Sequence, residues 1–128
     1  KFASAGGNLP EEKKALLKTL EDVQAMIGHM VGVAMESQEN PKEIYKVGLN
    51  TSRLLMATGD LIIAWLLLRQ ADIAQSKLAN AGKDTEFYNG KIASAKFFVR
   101  SVLPHISVER AVVESETGEI MNIAESAF

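Results

Sequence analysis

No cysteine occurs among the 128 residues, which excludes disulfides, thiol nucleophiles and cysteine metal sites together. The same absence rules out a disulfide-stapled secreted scaffold and makes a cytoplasmic location the expectation. Only three prolines are present, at positions 10, 41 and 104, so long helices can run unbroken between them. The formal net charge is −2, which leaves no electrostatic footprint for nucleic acid or anionic lipid. The longest uninterrupted apolar run, Leu61 to Leu68, is far shorter than the ~20 residues of a membrane-crossing helix. Asp60 directly before it would be costly in hydrocarbon. Neither nucleic acid nor a membrane is therefore expected as a partner.

What is present is globular composition, 47% hydrophobic and 23% charged, which argues against disorder. A chain of this length hides roughly two-thirds of its extended surface and supports one real core. It begins at Lys1 rather than at a methionine, and the expectation is either a processed chain or a piece of a longer one.

Residues 1–8, with Gly6-Gly7 and no periodicity, read as a flexible lead-in to a single domain over 9–128. Pro10 with Glu11 and Glu12 marks a helix start. Leu16, Leu20, Val23, Ile27, Met30/Val31 and Ala34 then recur every three or four residues, giving an amphipathic helix over about 10–37. Asn40 as N-cap, Pro41 at the first position and Glu43 at the third open a second helix. It reaches about residue 80, where Gly82 supplies the stop; roughly 40 residues make ~60 Å of helix. A third helix over about 85–103, capped by Asp84 or Thr85, carries Tyr88, Ile92, Ala95, Val99 and Val102 on one stripe. Pro104 kinks or ends it, and the pattern resumes over about 105–114. Ile120, Met121, Ile123 and Phe128 make the tail apolar enough to dock. No stretch alternates with period two for long enough to make a strand. The expected fold is all-α: an up-and-down bundle of three long helices, the third split at Pro104 to give a four-helix-like bundle.

The middle helix is apolar on every side around Trp65, and two neighbours cover only about two of its faces. The segment after Pro104, a second copy of the chain or a larger body is expected to cover the rest.

Candidates for chemistry are few. His29 and His105 are preceded three positions back by Met26 and Val102, so the Glu-x-x-His pairs of a di-iron bundle are absent. His105 and Glu109 offer two ligands at most, and no metal is expected. The sequence holds no Gly-x-Ser-x-Gly elbow, no Gly-x-Gly-x-x-Gly and no P-loop. Gly28-x-x-x-Gly32 reads as a spacing that lets helices approach. Asp60 and Arg69 bracket the most apolar stretch, and a buried Asp60 needs a partner, with Arg53, Arg100, Arg110 or a helix-end N–H as candidates. It is either a catalytic acid or half of a pair that fixes helix register, and the second reading is preferred. Lys91, Lys96 and Arg100 on the third helix could face an anion or form a solvated basic face.

Several segments together resemble one family. They are Tyr45-Lys46-Val47-Gly48-Leu49-Asn50, Gly59-Asp60-Leu61, Trp65-Leu66-Leu67-Leu68-Arg69-Gln70-Ala71, Phe87-Tyr88-Asn89-Gly90-Lys91, Ala95-Lys96-Phe97-Phe98 and Val102-Leu103-Pro104. The ending, Glu109-Arg110, Met121 and Glu125-Ser126-Ala127-Phe128, fits as well. Over about residues 9–128 the chain resembles the C-terminal helical extension of a subgroup of bacterial acyl-CoA dehydrogenases. It departs from that pattern at Lys96 and Asn50, where arginine and histidine are expected, and at Ser126, where an acid is expected.

The resemblance implies a much longer parent enzyme that oxidises an acyl-CoA at Cα–Cβ with FAD and passes electrons to a flavoprotein acceptor. Its catalytic glutamate and its flavin and acyl-CoA pockets would belong to the upstream body. No catalytic, cofactor-binding or metal residue is carried onto this chain, and Asp60, Arg69 and Lys91 match only the extension's own pattern. The expected role is structural, packing on the catalytic body, on a second copy, or both. A free-standing helical protein-interaction or lipid-binding module is the alternative.

Overall fold

The computed structural model describes residues 1–4 and 7–128; of the Gly6-Gly7 pair, Gly6 lies outside the described residues. Among the described residues four α-helices follow one another: α1 Pro10–Glu36, α2 Ile44–Lys77, α3 Thr85–Ser101 and α4 Pro104–Ser115. Among the described residues there is no strand, as the missing period-two pattern requires.

α1 opens on Leu9 rather than on a polar cap. Leu9 sits in the left-handed region with φ 59° and ψ 49°, and its side chain is buried. Its carbonyl accepts from the Lys13 amide at 2.9 Å, and Pro10 has no amide to leave unpaired. Burial of Leu9 offsets a backbone conformation that costs about 1–3 kcal/mol. Before it, Phe2 and Ala3 pack against the core, and Lys13 lies 4.9 Å from the Phe2 ring centre while reaching Asp72 at 3.4 Å.

Asn40 stands at the N-cap before Pro41, but its side chain donates to Glu43 Oε1 at 3.2 Å instead of capping a backbone amide. The expected capping box is therefore incomplete, and Pro41–Glu43 form a 3-10 turn before α2 begins. At the far end Leu78–Asn80 tighten into another 3-10 turn. Gly82, at φ 52°, takes the left-handed conformation expected of a stop. The third arm breaks two residues ahead of the expected place. α3 ends at Ser101, Val102 and Leu103 turn, and Pro104 occupies the first position of α4, where a missing amide costs nothing.

α2 packs on α1 and α3, and α4 packs chiefly on α1. Met26, Leu68, Ile106 and Val113 are the largest apolar side chains removed from water in this core. On α1 the expected stripe is rotated. Leu16, Val23 and Met30 are buried, but they share the inner face with Thr19, Asp22, Met26 and Val33, while Leu20, Ile27 and Val31 are exposed. The apolar arc of α1 is wider than its neighbours cover, so periodicity located the helix but not the centre of its buried face.

Beyond α4 the chain turns at Gly118, φ 71°, against the side chain of Lys46. An added Cβ there would sit 3.2 Å from Lys46 Cγ in a conformation that disfavours any side chain. Gly118→Ala is expected to cost about 1 kcal/mol, read in urea unfolding, with Gly90→Ala (helical, open space) neutral or mildly stabilising. The apolar tail does not dock as expected: Ile120, Met121, Ile123 and Phe128 all remain exposed.

Candidate functional site: an uncovered apolar face

α2 is built with its small residues inward. Ala57, Ala64, Ala71 and Ala74 are buried with Leu68 and Asn50, and alanines at such positions let helices approach closely. The bulky residues point the other way. Leu55, Gly59, Ile62, Leu66, Arg69 and Ile73 follow at steps of four and three, a coiled-coil spacing, along the outer side. Leu55 is 69% exposed, Ile73 55% and Ile62 49%. The expectation that the Trp65 region is buried on most faces therefore fails within this chain, and α4 is not the cover, because it packs on α1. A helix that carries its large apolar side chains outward presents a surface for something else.

The face continues onto α1. A groove of about 290 Å³ between the two helices is lined by Phe2, Leu17, Leu20, Leu61, Ile62 and Trp65. Trp65 stands on its rim with the Arg69 guanidinium 5.2 Å from its ring centre, so Arg69 shields an aromatic rather than pairing with an acid. Gly28 and Gly32 do not serve close approach within the chain. A Cβ at either would meet nothing within 4 Å, and the same holds for Gly59 on the outer side of α2.

The residues singled out for chemistry do not assemble into one site. Asp60 is half-buried in a second groove, between α2 and α4, and among the described residues none of its expected partners reaches it. Arg53 pairs with Glu109, Arg100 lies 3.7 Å from Glu12, and Arg110 binds Asp22 at 3.1 Å and Glu114 at 2.7 Å. His105 is exposed and His29 half-buried, and among the described residues no group of three possible ligands surrounds a metal position. Lys91 donates to Gln70 at 3.2 Å and lies 5.5 Å from the Phe87 ring centre, while Arg100 is held toward Glu12, so the basic side chains of α3 do not converge on an anion.

The buried ionic centre is elsewhere. Asp22 is 1% exposed on the inner face of α1 and accepts from Ser107 Oγ at 2.7 Å, from Arg110 and from Lys18. Burial alone would raise its pKa, but the hydrogen bonds from Lys18, Ser107 and Arg110 together outweigh burial and hold it below the ordinary carboxylate value. Hydrogen bonds to Glu114 first and to Asp22 second raise the pKa of Arg110. The sequence carried one signal for this centre: Asp22 lies three residues from Thr19 and four from Met26, within the core arc. Asn50, where the family pattern expects histidine, is buried and donates to the Lys46 carbonyl at 3.1 Å.

The eight-residue run understates α2: the whole helix from Pro41 to Asn80 is long and apolar enough to cross a membrane. Core helices share that length and composition, and here one side of α2 is packed into the bundle through Ala57, Ala64 and Leu68.

Residues 1–124 match the family described as acetyl-CoA dehydrogenase C-terminal like. The chain belongs to that family. Over 127 residues, 98% of the chain, it is 42% identical to a broad-specificity linear acyl-CoA dehydrogenase, FadE5, of Mycobacterium tuberculosis. It is 38% identical over 64% of its length to a butyryl-CoA dehydrogenase of Syntrophomonas wolfei, and 40% identical over 51% to a 3-methylmercaptopropionyl-CoA dehydrogenase of Ruegeria pomeroyi. The chain spans 21%, 14% and 11% of these relatives, respectively. The helical extension inferred from Trp65-Leu66-Leu67-Leu68-Arg69 and its companions is thus the family observed. These relatives carry most of their length outside the region matched here.

Proposed function

We propose that this acyl-CoA dehydrogenase C-terminal domain is a structural and assembly domain that docks on the catalytic body of its enzyme and carries no catalysis itself. The observation that supports this is α2, with its alanines turned inward and Leu55, Ile62, Leu66 and Ile73 turned outward over a surface the chain leaves bare. Exposed apolar patches of this kind are rare on monomers and mark interaction sites. The relatives are about five or more times longer than the matched region, so a body large enough to cover the face exists in each of them. The parent reaction would be α,β-dehydrogenation of an acyl-CoA, in the cytoplasm, in an oligomeric enzyme. The relatives' differing names leave linear, butyryl and methylthio-substituted substrates equally open.

FAD is the cofactor such a parent would use, and the residues of this chain do not fit it. The grooves described here reach only about 300 Å³, at the bottom of the range for ligand pockets. Proline at the first position of α1 and α4 removes a donor where a helix start would otherwise hold a diphosphate.

The 128-residue chain purified alone is expected to be colourless and to show no acyl-CoA dehydrogenation with an artificial electron acceptor. A yellow preparation with bound FAD, or turnover above background, would overturn the non-catalytic reading.

A further inference from the structure

The groove between α2 and α4, about 300 Å³, has apolar walls from Met56, Ala57 and Ile106 and an unbalanced charge. Arg53 and Glu109 satisfy each other across it. That leaves Asp60, half-buried and, among the described residues, without an ion pair or a hydrogen bond. His105 lies exposed at the rim and forms no ion pair with Asp60. Met56, 66% exposed, lines this groove one helical turn before Asp60, so a partner seated on Met56 also approaches Asp60.

Covering an unpaired carboxylate removes its water and is strongly unfavourable unless the covering surface brings a cation. An apolar-walled slot ending at one acid suits a long aliphatic stem with a charged head. We infer that the α2–α4 groove receives a basic side chain, arginine or lysine, from the catalytic body, and that this cation pairs with Asp60 in the docked state. The inference rests on the docking reading above and adds the chemistry of the partner surface: apolar over Leu55 and Ile62, basic beside Asp60.

The test uses the intact enzyme and the 128-residue chain. Hydroxyl-radical oxidation of Met56 reports docking. Met56 is expected to be protected in the intact enzyme and reactive in the chain alone; equal reactivity would overturn the docking reading itself. With protection established, the urea concentration at which Met56 becomes reactive measures docking strength. Asp60→Asn and Asp60→Leu are expected to lower it, corresponding to about tenfold weaker docking or more, while Asp60→Glu stays near wild type. In the chain alone, where no described residue pairs with Asp60, the three variants are expected to keep the wild-type midpoint, which separates docking from folding. If Asp60→Leu docks as well as wild type or better, no cation meets Asp60 and the inference falls while the docking reading stands. If a variant does not fold alone, carbodiimide labelling of wild-type Asp60 decides. Loss of labelling in the intact enzyme that returns at high salt, with Met56 still protected, supports the ion pair; labelling that ignores salt overturns it.

Discussion

Leu68→Ala is expected to destabilise the chain by about 2–5 kcal/mol, whereas Leu66→Ala, two residues away, should cost less than about 1 kcal/mol. Leu68 is 0% exposed among the alanines of α2, and truncating it leaves a cavity that rigid helix backbones on both sides cannot close. Leu66 is 44% exposed and points away from the bundle, so its truncation removes little burial within this chain. Chemical denaturation of the two variants measures the contrast directly. In a self-sufficient bundle both leucines of so apolar a helix would be core residues with comparable costs. The expected asymmetry is the energetic signature of a helix with one face buried and the other held for a partner.

The second large effect belongs to Asp22. Asp22→Ala is expected to cost about 1–3 kcal/mol, because Ser107 and Arg110 lose their shared acceptor, while Arg110 keeps Glu114 and part of its water. Asp22→Asn should cost less, since the amide oxygen still accepts from Ser107 at 2.7 Å. This centre clasps α4 onto α1, so its loss should loosen α4 first, visible as faster amide exchange in 104–115 than in α2. The pH dependence follows from the same contacts. The folded-state pKa of Asp22 lies below its unfolded value, so the folded state binds the proton less readily than the unfolded one. The carboxylate therefore contributes its full stabilisation above the unfolded pKa, near 4 for an aspartate, and loses it as pH falls through the lowered folded value. Acid titration of wild type against Asp22→Asn should show this component in wild type alone.

Much of the fold was legible in the sequence. Proline at 10, 41 and 104 and glycine at 82 set the breaks, and three-and-four spacing set the helices, because caps, stops and periodicity are local properties. Which arc of a helix is buried is not local. α1 has an apolar arc wide enough to include Leu16, Leu20, Val23 and Ile27, and only the placement of α2 and α4 decides that Leu20 and Ile27 are left outside. Asp22 is inconspicuous in the sequence for a related reason. A carboxylate inside an apolar arc looks like an interruption until Ser107 and Arg110, about 85 positions later, arrive to satisfy it. Asp60 is the opposite case: the arginines expected to pair with it are taken by Glu109, Glu12 and Asp22. The uncovered face was legible as a surplus of apolar surface around Trp65. What the structure adds is its location on the outer side of α2 and the inward alanines that push the bulk there.

The most direct measurement is the affinity of the 128-residue chain for the separately produced catalytic body of its enzyme, determined by calorimetry for wild type and for Ile62→Asp/Leu66→Asp. Both positions are about half exposed here, so the double variant should retain most of its helix content and unfold within about 2 kcal/mol of wild type. The expected result is a 1:1 complex with wild type and binding weakened about 100-fold or more in the variant, since two charges would be buried in an apolar contact. Equal affinity for both proteins, or a wild-type chain that stays a stable monomer and binds no body, would contradict docking through this face.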